Sequence, residues 1–239
     1  MKTITAFLFS GILLLATATS CIDHFSINGN GNPASETRHV SAFSKVKSNG
    51  DFIVYITNGI ETDVVVRADD NLLQYIETYV SGETLHIDIE GLHSVKAVVP
   101  MEIYVTTPKL EGIIQSGSGT ITSDYFDSNH FDVVLSGSGR VDAEFEAEST
   151  DVLLSGSGKI NITGVAQEAQ MTISGSGDLN GVDLEVNSCH TLTSGSGNMW
   201  IKVSDYLSTR ISGSGNVFYS GNPTVEISVS GSGNVISQH

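Results

Sequence analysis

Apolar and polar residues alternate in short runs along most of this chain, and from residue 112 onward the alternation keeps returning to one phase marker, Ser-Gly-Ser-Gly. The marker begins at Ser116, Ser136, Ser155, Ser174, Ser194, Ser212 and Ser230, in steps of 20, 19, 19, 20, 18 and 18 residues. Two residues past each copy stand Ile121, Val141, Ile160, Leu179, Met199, Val217 and Val235, all apolar. One residue past stand Thr120, Arg140, Lys159, Asp178, Asn198, Asn216 and Asn234, all polar. Just before the marker come Gln115, Leu135, Leu154, Ile173, Thr193, Ile211 and Val229, of which five are apolar. A period of two with one buried face predicts strands. Recurrent glycine pairs would break a helix.

This repeat length selects the architecture. Propeller blades need about 40 residues, and the Leu-x-x-Leu-x-Leu frame of leucine-rich repeats is missing. One turn of a parallel β-helix, 18–20 residues long, fits; antiparallel hairpins are the rival. Stacked turns lie about 4.8 Å apart, so like residues pile into columns and seven turns span roughly 34 Å. Stacking is preferred because the apolar columns keep one register on both sides of the marker. It also aligns Asn198, Asn216 and Asn234 as an amide ladder. Counting by twos puts both glycines of each marker inward and both serines outward, a stripe of up to 14 hydroxyls. The marker is either a bend that needs glycine's backbone freedom or a straight strand that lets the opposite wall approach.

Upstream, residues 41–107 are strand-like but less regular. Phe52–Ile56, Val64–Val66, Leu85–Ile89 and Met101–Val105 read as strands, and Asp69–Tyr79 as a loop or short helix. This part is expected to be irregular solenoid turns or a cap over the first open edge; the repeat β-helix proper is assigned to 108–239. The fold class is all-β.

The first 20 residues read as a leader: Lys2, an apolar run from Ala6 to Ala16, then small residues before Cys21. The run is too short for a stable membrane span. Small residues directly before cysteine resemble a bacterial lipobox, with Cys21 lipidated after cleavage, although Ala18 stands where Leu is common. Ordinary cleavage after Ala18 is the alternative. Residues 21–40, including Asn28-Gly29-Asn30-Gly31-Asn32-Pro33, read as a flexible tether reaching about 20–25 Å. With Cys21 lipidated, Cys189 has no partner and is expected to be a small core residue. The chain carries 27 acidic against 11 basic residues, a net charge of −16. Such a surface repels phosphate backbones, which argues against nucleic acid. Any membrane contact runs through the lipid on Cys21 alone.

The run Asn49-Gly50-Asp51-Phe52, then Thr107-Pro108-Lys109-Leu110, Ile113-Ile114 and the repeated marker resemble the putative auto-transporter adhesin, head GIN domain family of exported bacterial proteins, often lipoproteins. The resemblance covers roughly residues 40–235. It implies a β-helical fold and an adhesin role, and it brings no catalytic or ligand residues with it.

Candidate chemistry is sparse. Asp142, Glu144, Glu146 and Glu148 share one face of an extended segment, but Ala143, Phe145 and Ala147 alternate with them, as on a solvated strand; Arg140 and Lys159 stand isolated. Histidines 24, 39, 86, 93, 130, 190 and 239 show no metal-ligand spacing. Trp200, Phe218 and Tyr219 offer either core packing or an aromatic platform for a sugar ring. No catalytic, cofactor or metal site is assigned. The leading expectation is a non-enzymatic, adhesin-like module of the cell envelope, an outer-membrane lipoprotein (periplasmic or surface-facing) that presents its repeat surface to extracellular glycans or proteins. The alternatives are a self-assembling structural β-helix, since the last marker lies close to His239 and leaves an open edge for a homo-oligomer, and a pectinase-like or lipid-binding β-helix protein.

Overall fold

The computed structural model describes residues 26–91 and 93–238. The expected leader (1–20), the lipidation site Cys21, and His24 and His239 lie outside the described residues. The N-terminal part contains β1 (Ser26–Asn28), β2 (Pro33–Arg38), β3 (Lys45–Asn49), β4 (Ile53–Asn58), β5 (Asp63–Asp69), a 3-10 turn (Leu73–Tyr75), β6 (Ile76–Ser81), β7 (Thr84–Ile89), β8 (Ser94–Lys96) and β9 (Glu102–Thr107). The repeat contains β10 (Gly112–Gly117), β11 (Thr120–Gly137), β12 (Arg140–Gly156), β13 (Lys159–Gly175), β14 (Asp178–Gly195), β15 (Met199–Gly213), β16 (Val217–Ser220), β17 (Thr224–Gly231) and β18 (Val235–Ser237).

Each repeat is one circuit of a parallel solenoid. All seven first serines of the marker pair in a single column from Ser116 to Ser230. The stacked arrangement therefore holds and the hairpin rival falls. The apolar columns point inward as expected: Ile121, Val141, Ile160, Leu179, Met199 and Val217 are buried, as are Leu135, Leu154, Ile173 and Ile211. Phe131 and Phe145 stack at 4.5 Å between ring centroids inside this core. Cys189 stands in a buried column between Ala169 and Leu207. Burial there pushes its thiol up to about 12, which suits a packing residue rather than a nucleophile.

The marker turns a corner, and both of its glycines lie too close to the layer beneath for a side chain, the first with positive φ as well. The first adopts positive φ, +125° at Gly156, and the chain bends at the serine that follows. The count by twos holds for both serines, which face outward, and departs only at the first glycine, which is half-buried or exposed. The second glycine is inward and buried in every copy. A Cβ at Gly177 would stand 2.4 Å from the carbonyl oxygen of Gly158 in the layer beneath. The bend therefore holds and the straight strand falls; the close approach at both glycines is to the layer beneath and not to the opposite wall.

The N-terminal part is laid down out of chain order. β3 pairs in parallel with β7 on one side and β10 on the other, and β4 likewise with β9 and β11. The layer of β3 and β4 forms first along the chain, the layer beneath it follows from β7 and β9, and Pro108–Glu111 crosses back to the far side. One continuous sheet therefore runs across the expected boundary at 107/108. Antiparallel strands complete the lower end: β5 pairs with β9, and β6 with β7.

The tether is corrected over its described part. β2 pairs antiparallel with β5, and β1 pairs with β8. Between them the Gly31 N–H donates to Asp69 at 2.6 Å, and the Asn30 N–H to Asn71 at 3.1 Å. Polar composition reports that these residues bury little apolar surface. A backbone ladder on an exposed edge needs none.

Candidate binding surface

Among the described residues no single concave centre organises the outer face; repetition does. The two serine columns of the marker project outward along one corner, more exposed from Ser155 upward than at Ser116 and Ser136. Hydroxyls repeating about every 4.8 Å can donate and accept hydrogen bonds along an extended partner. Beside this corner a second column begins with Asp178. Its Oδ1 accepts from Asn198 Nδ2 at 3.3 Å, Asn198 Oδ1 from Asn216 Nδ2 at 3.0 Å, and Asn216 Oδ1 from Asn234 Nδ2 at 3.2 Å. The expected asparagine ladder is present, with an aspartate as its first rung.

The acidic candidates occupy one outer face, with Ala143, Phe145 and Ala147 buried behind them. They do not converge. Asp142 is engaged by Arg140 and by Asn161, each at 2.6 Å, and Glu146 accepts from the Tyr125 hydroxyl at 3.0 Å. That hydrogen bond is the largest influence raising the Tyr125 pKa.

Among the described residues one group of three potential metal ligands does converge: His130, Asp132 and Asp151. Sequence reasoning passed over it, although His130-x-Asp132 with Asp151 one repeat later was a usable signal. Lys45 Nζ lies 2.6 Å from Asp132 Oδ2, and His130 Nε2 lies 2.9 Å from Oδ1. Burial of the Asp132 carboxyl opposes its ionisation, but Lys45 and His130 outweigh that and hold it below the usual carboxylate range. The lysine already supplies the positive charge a cation would bring. The group is an ion network that joins β3 to β11.

Aromatic side chains mark a third outer column, running Tyr104, Tyr55, Thr122, Asp142, Asn161, Asn180, Trp200, Phe218 and Ile236. Tyr55 and Tyr104 stack at 5.3 Å, Trp200 and Phe218 at 5.2 Å with their planes 8° apart. Tyr219, expected with them, falls on the opposite parity and packs against the core. Beneath Trp200 the repeat is irregular: the β14–β15 register shifts between Gly181 and Glu185, and Val182 is exposed there. A cleft of about 230 Å³ opens at this place, lined by Lys159, Asp178, Asn180, Val182 and Trp200.

A parallel β-solenoid whose outer face is a set of repeated polar columns is the scaffold of a surface-presenting protein rather than of one deep pocket. The chain belongs to the family described as Putative auto-transporter adhesin, head GIN domain, whose model matches residues 42–223. Its fold is similar to a putative adhesin from Bacteroides fragilis NCTC 9343, with TM-score 0.84 and 23% identity, covering 89% of this chain and 100% of that one. It is also similar to a putative lipid binding protein from Parabacteroides distasonis ATCC 8503 (TM-score 0.76, 22% identity, 90% and 100% covered). A putative adhesin from Parabacteroides merdae ATCC 43184 aligns with TM-score 0.72 at 18% identity, over 90% and 99%. No curated protein matches the chain in sequence. The family is adhesin-like and points to the cell envelope or surface.

Proposed function

We propose that this protein is a non-enzymatic binding module of the cell envelope, exported as a lipoprotein through Cys21 and presenting its outer columns to extracellular glycans or proteins. The observation that carries the reading is the in-register repetition of marker hydroxyls over seven copies, joined by amides at the last three, in a chain of an adhesin-like family. Many equivalent weak contacts along one face suit an extended partner better than a small substrate. A binding role is further supported by Asp142 and Glu146 being spent on their neighbours Arg140, Asn161 and Tyr125. Purified protein applied to glycan arrays and to immobilised matrix proteins tests the reading; saturable binding to at least one class is expected, and blank results on both would end it. Lipidation is tested separately by mass spectrometry of the exported protein, where Cys21→Ser abolishes the acyl mass.

A lipid-binding role, by analogy with the putative lipid binding protein that shares this fold, would have to use the outside of the solenoid. The interior columns are closed by packed side chains such as Phe131 and Phe145.

A further inference from the structure

We propose that the cleft beneath Trp200 is a subsite for a single pyranose ring of a carbohydrate. The inference deepens the binding-module reading and rests on it. In a solenoid, stacked aromatic rings cover one another's faces, so a ladder is normally available to a ligand only at its ends. Phe218 covers one face of the Trp200 indole. The residue paired beneath it in the same column is Asn180, whose short amide side chain cannot cover the other.

A second irregularity coincides with this ladder end. Val182 lies in the stretch between Gly181 and Glu185 where the register with β15 shifts; it is 37% exposed and forms a wall of the cleft. Bulges in otherwise regular strands re-aim side chains and gather at functional places. One layer lower the same column is closed, because Asn161 is bonded directly to Asp142 at 2.6 Å. The opening is local to this layer.

The lining matches a sugar in kind and scale. An indole face receives the C–H face of a pyranose, while Asn180, Asp178 and Lys159 supply amide, carboxylate and ammonium groups for its hydroxyls. The acid and the lysine balance in charge, which favours a neutral ring. At about 230 Å³ the cleft is smaller than the ~300–1,000 Å³ of drug-sized pockets. A longer glycan would leave it along the neighbouring hydroxyl column.

Trp200 is the only tryptophan of the chain, so its emission reports on this cleft alone. Glycans bound on the array are titrated in solution while the tryptophan emission is followed. A saturable change is expected with the parent protein. Asn180→Phe extends the ladder, covers the free indole face and is expected to weaken binding at least tenfold with unchanged circular dichroism. Lys159→Ala, at an exposed position, is expected to weaken it several-fold and carries the test if Asn180→Phe does not fold. Glycan binding that leaves the emission unmoved, or that survives both substitutions, overturns the subsite while the binding module stands. Binding to matrix proteins without any glycan does the same. No binding to either class overturns both.

Discussion

The two halves of this molecule build the same stacked layers by opposite means. In the repeat, every circuit closes through one corner, and adjacent circuits are held by backbone pairing between like residues. In the N-terminal part the layers of β3–β4 and β7–β9 belong to the same sheet, yet the chain leaves them for long excursions and returns out of order. Individual side chains fix those excursions. Asp69 accepts from the backbone of Gly31, Val98 and Val99, Asn49 Nδ2 donates to Asp88 at 2.7 Å, and Arg67 pairs with Glu102. The difference shows what regularity gives and what it costs. Identical corners stack without limit, whereas an irregular end can lay antiparallel strands over an edge that would otherwise recruit another strand.

The sharpest way to break this comparison is to substitute glycines of each kind. Gly156→Ala places a Cβ 2.4 Å from the carbonyl oxygen of Gly137 at a φ of +125°. Overpacking of about 1–3 kcal/mol adds to backbone strain of about 1–3 kcal/mol, so a loss near 4 kcal/mol is expected. At about 2–4 °C per kcal/mol, thermal unfolding followed by circular dichroism should fall by roughly 10 °C. Gly82, in the β6–β7 hairpin, also has positive φ but meets nothing within 4 Å. Gly82→Ala is expected to cost only about 1–2 kcal/mol of backbone strain. Equal losses would mean that close approach between layers is not what demands glycine at the corners.

That contrast also explains what was legible in the sequence. The marker exposed the stacking register, the inward columns and the asparagine ladder, because close contact between layers permits almost nothing but glycine at fixed steps. An eighth corner went unread: Gly50, at φ +120°, follows Asn49, which pairs with Ser116, so Asn49-Gly50-Asp51-Phe52 stands where a marker would. Asn and Asp replace its serines and Phe its second glycine, which hides the period. The out-of-order layers left no trace, since strand periodicity states which face is buried and not which strand lies alongside. Residues 26–38 were misread for a related reason: their order comes from backbone pairing and from Asp69, both invisible to composition. On the surface, the Trp200–Phe218 pair could be suspected from one-repeat spacing, but the cleft under it could not. It depends on a register shift that only the fold displays.

A smaller effect probes the irregular half. Asp69 is fully buried, and burial opposes its charge. The N–H groups of Val99, Gly31 and Val98 nonetheless hold its carboxyl below the ordinary value. A carboxyl with a depressed folded-state pKa stabilises the protein above its unfolded value near pH 4, and the contribution fades as pH falls through the lower folded value. Amide exchange at Val98 and Val99 should therefore quicken below about pH 4, relative to the intrinsic rate, before amides of the repeat respond. Asp69→Asn keeps the shape and removes the charge; a loss of about 2 kcal/mol is expected, in the range of a charged hydrogen bond. If acid loosens the repeat first, the side-chain anchoring assigned to the N-terminal part is wrong.

The smallest effect sharpens the account of the repeat itself. If backbone pairing and corners carry its order, the asparagine ladder is an addition to that order and not its source. Asn216 is the middle of the three asparagines, donating to Asn198 and accepting from Asn234, while the backbone carbonyl of Asn216 separately accepts from the Met199 N–H at 2.9 Å. Asn216→Ala removes three side-chain bonds, one to Asn198 Oδ1 and two from the N–H and Nδ2 of Asn234, and leaves the backbone bond in place. Each neutral hydrogen bond nets about 0.5–1.5 kcal/mol and the site is half-exposed, so about 1 kcal/mol is expected, with the unfolding transition still single. Denaturant unfolding measures this directly. A loss as large as that of Gly156→Ala would make the amide ladder, rather than the glycine corner, the element that sets the register.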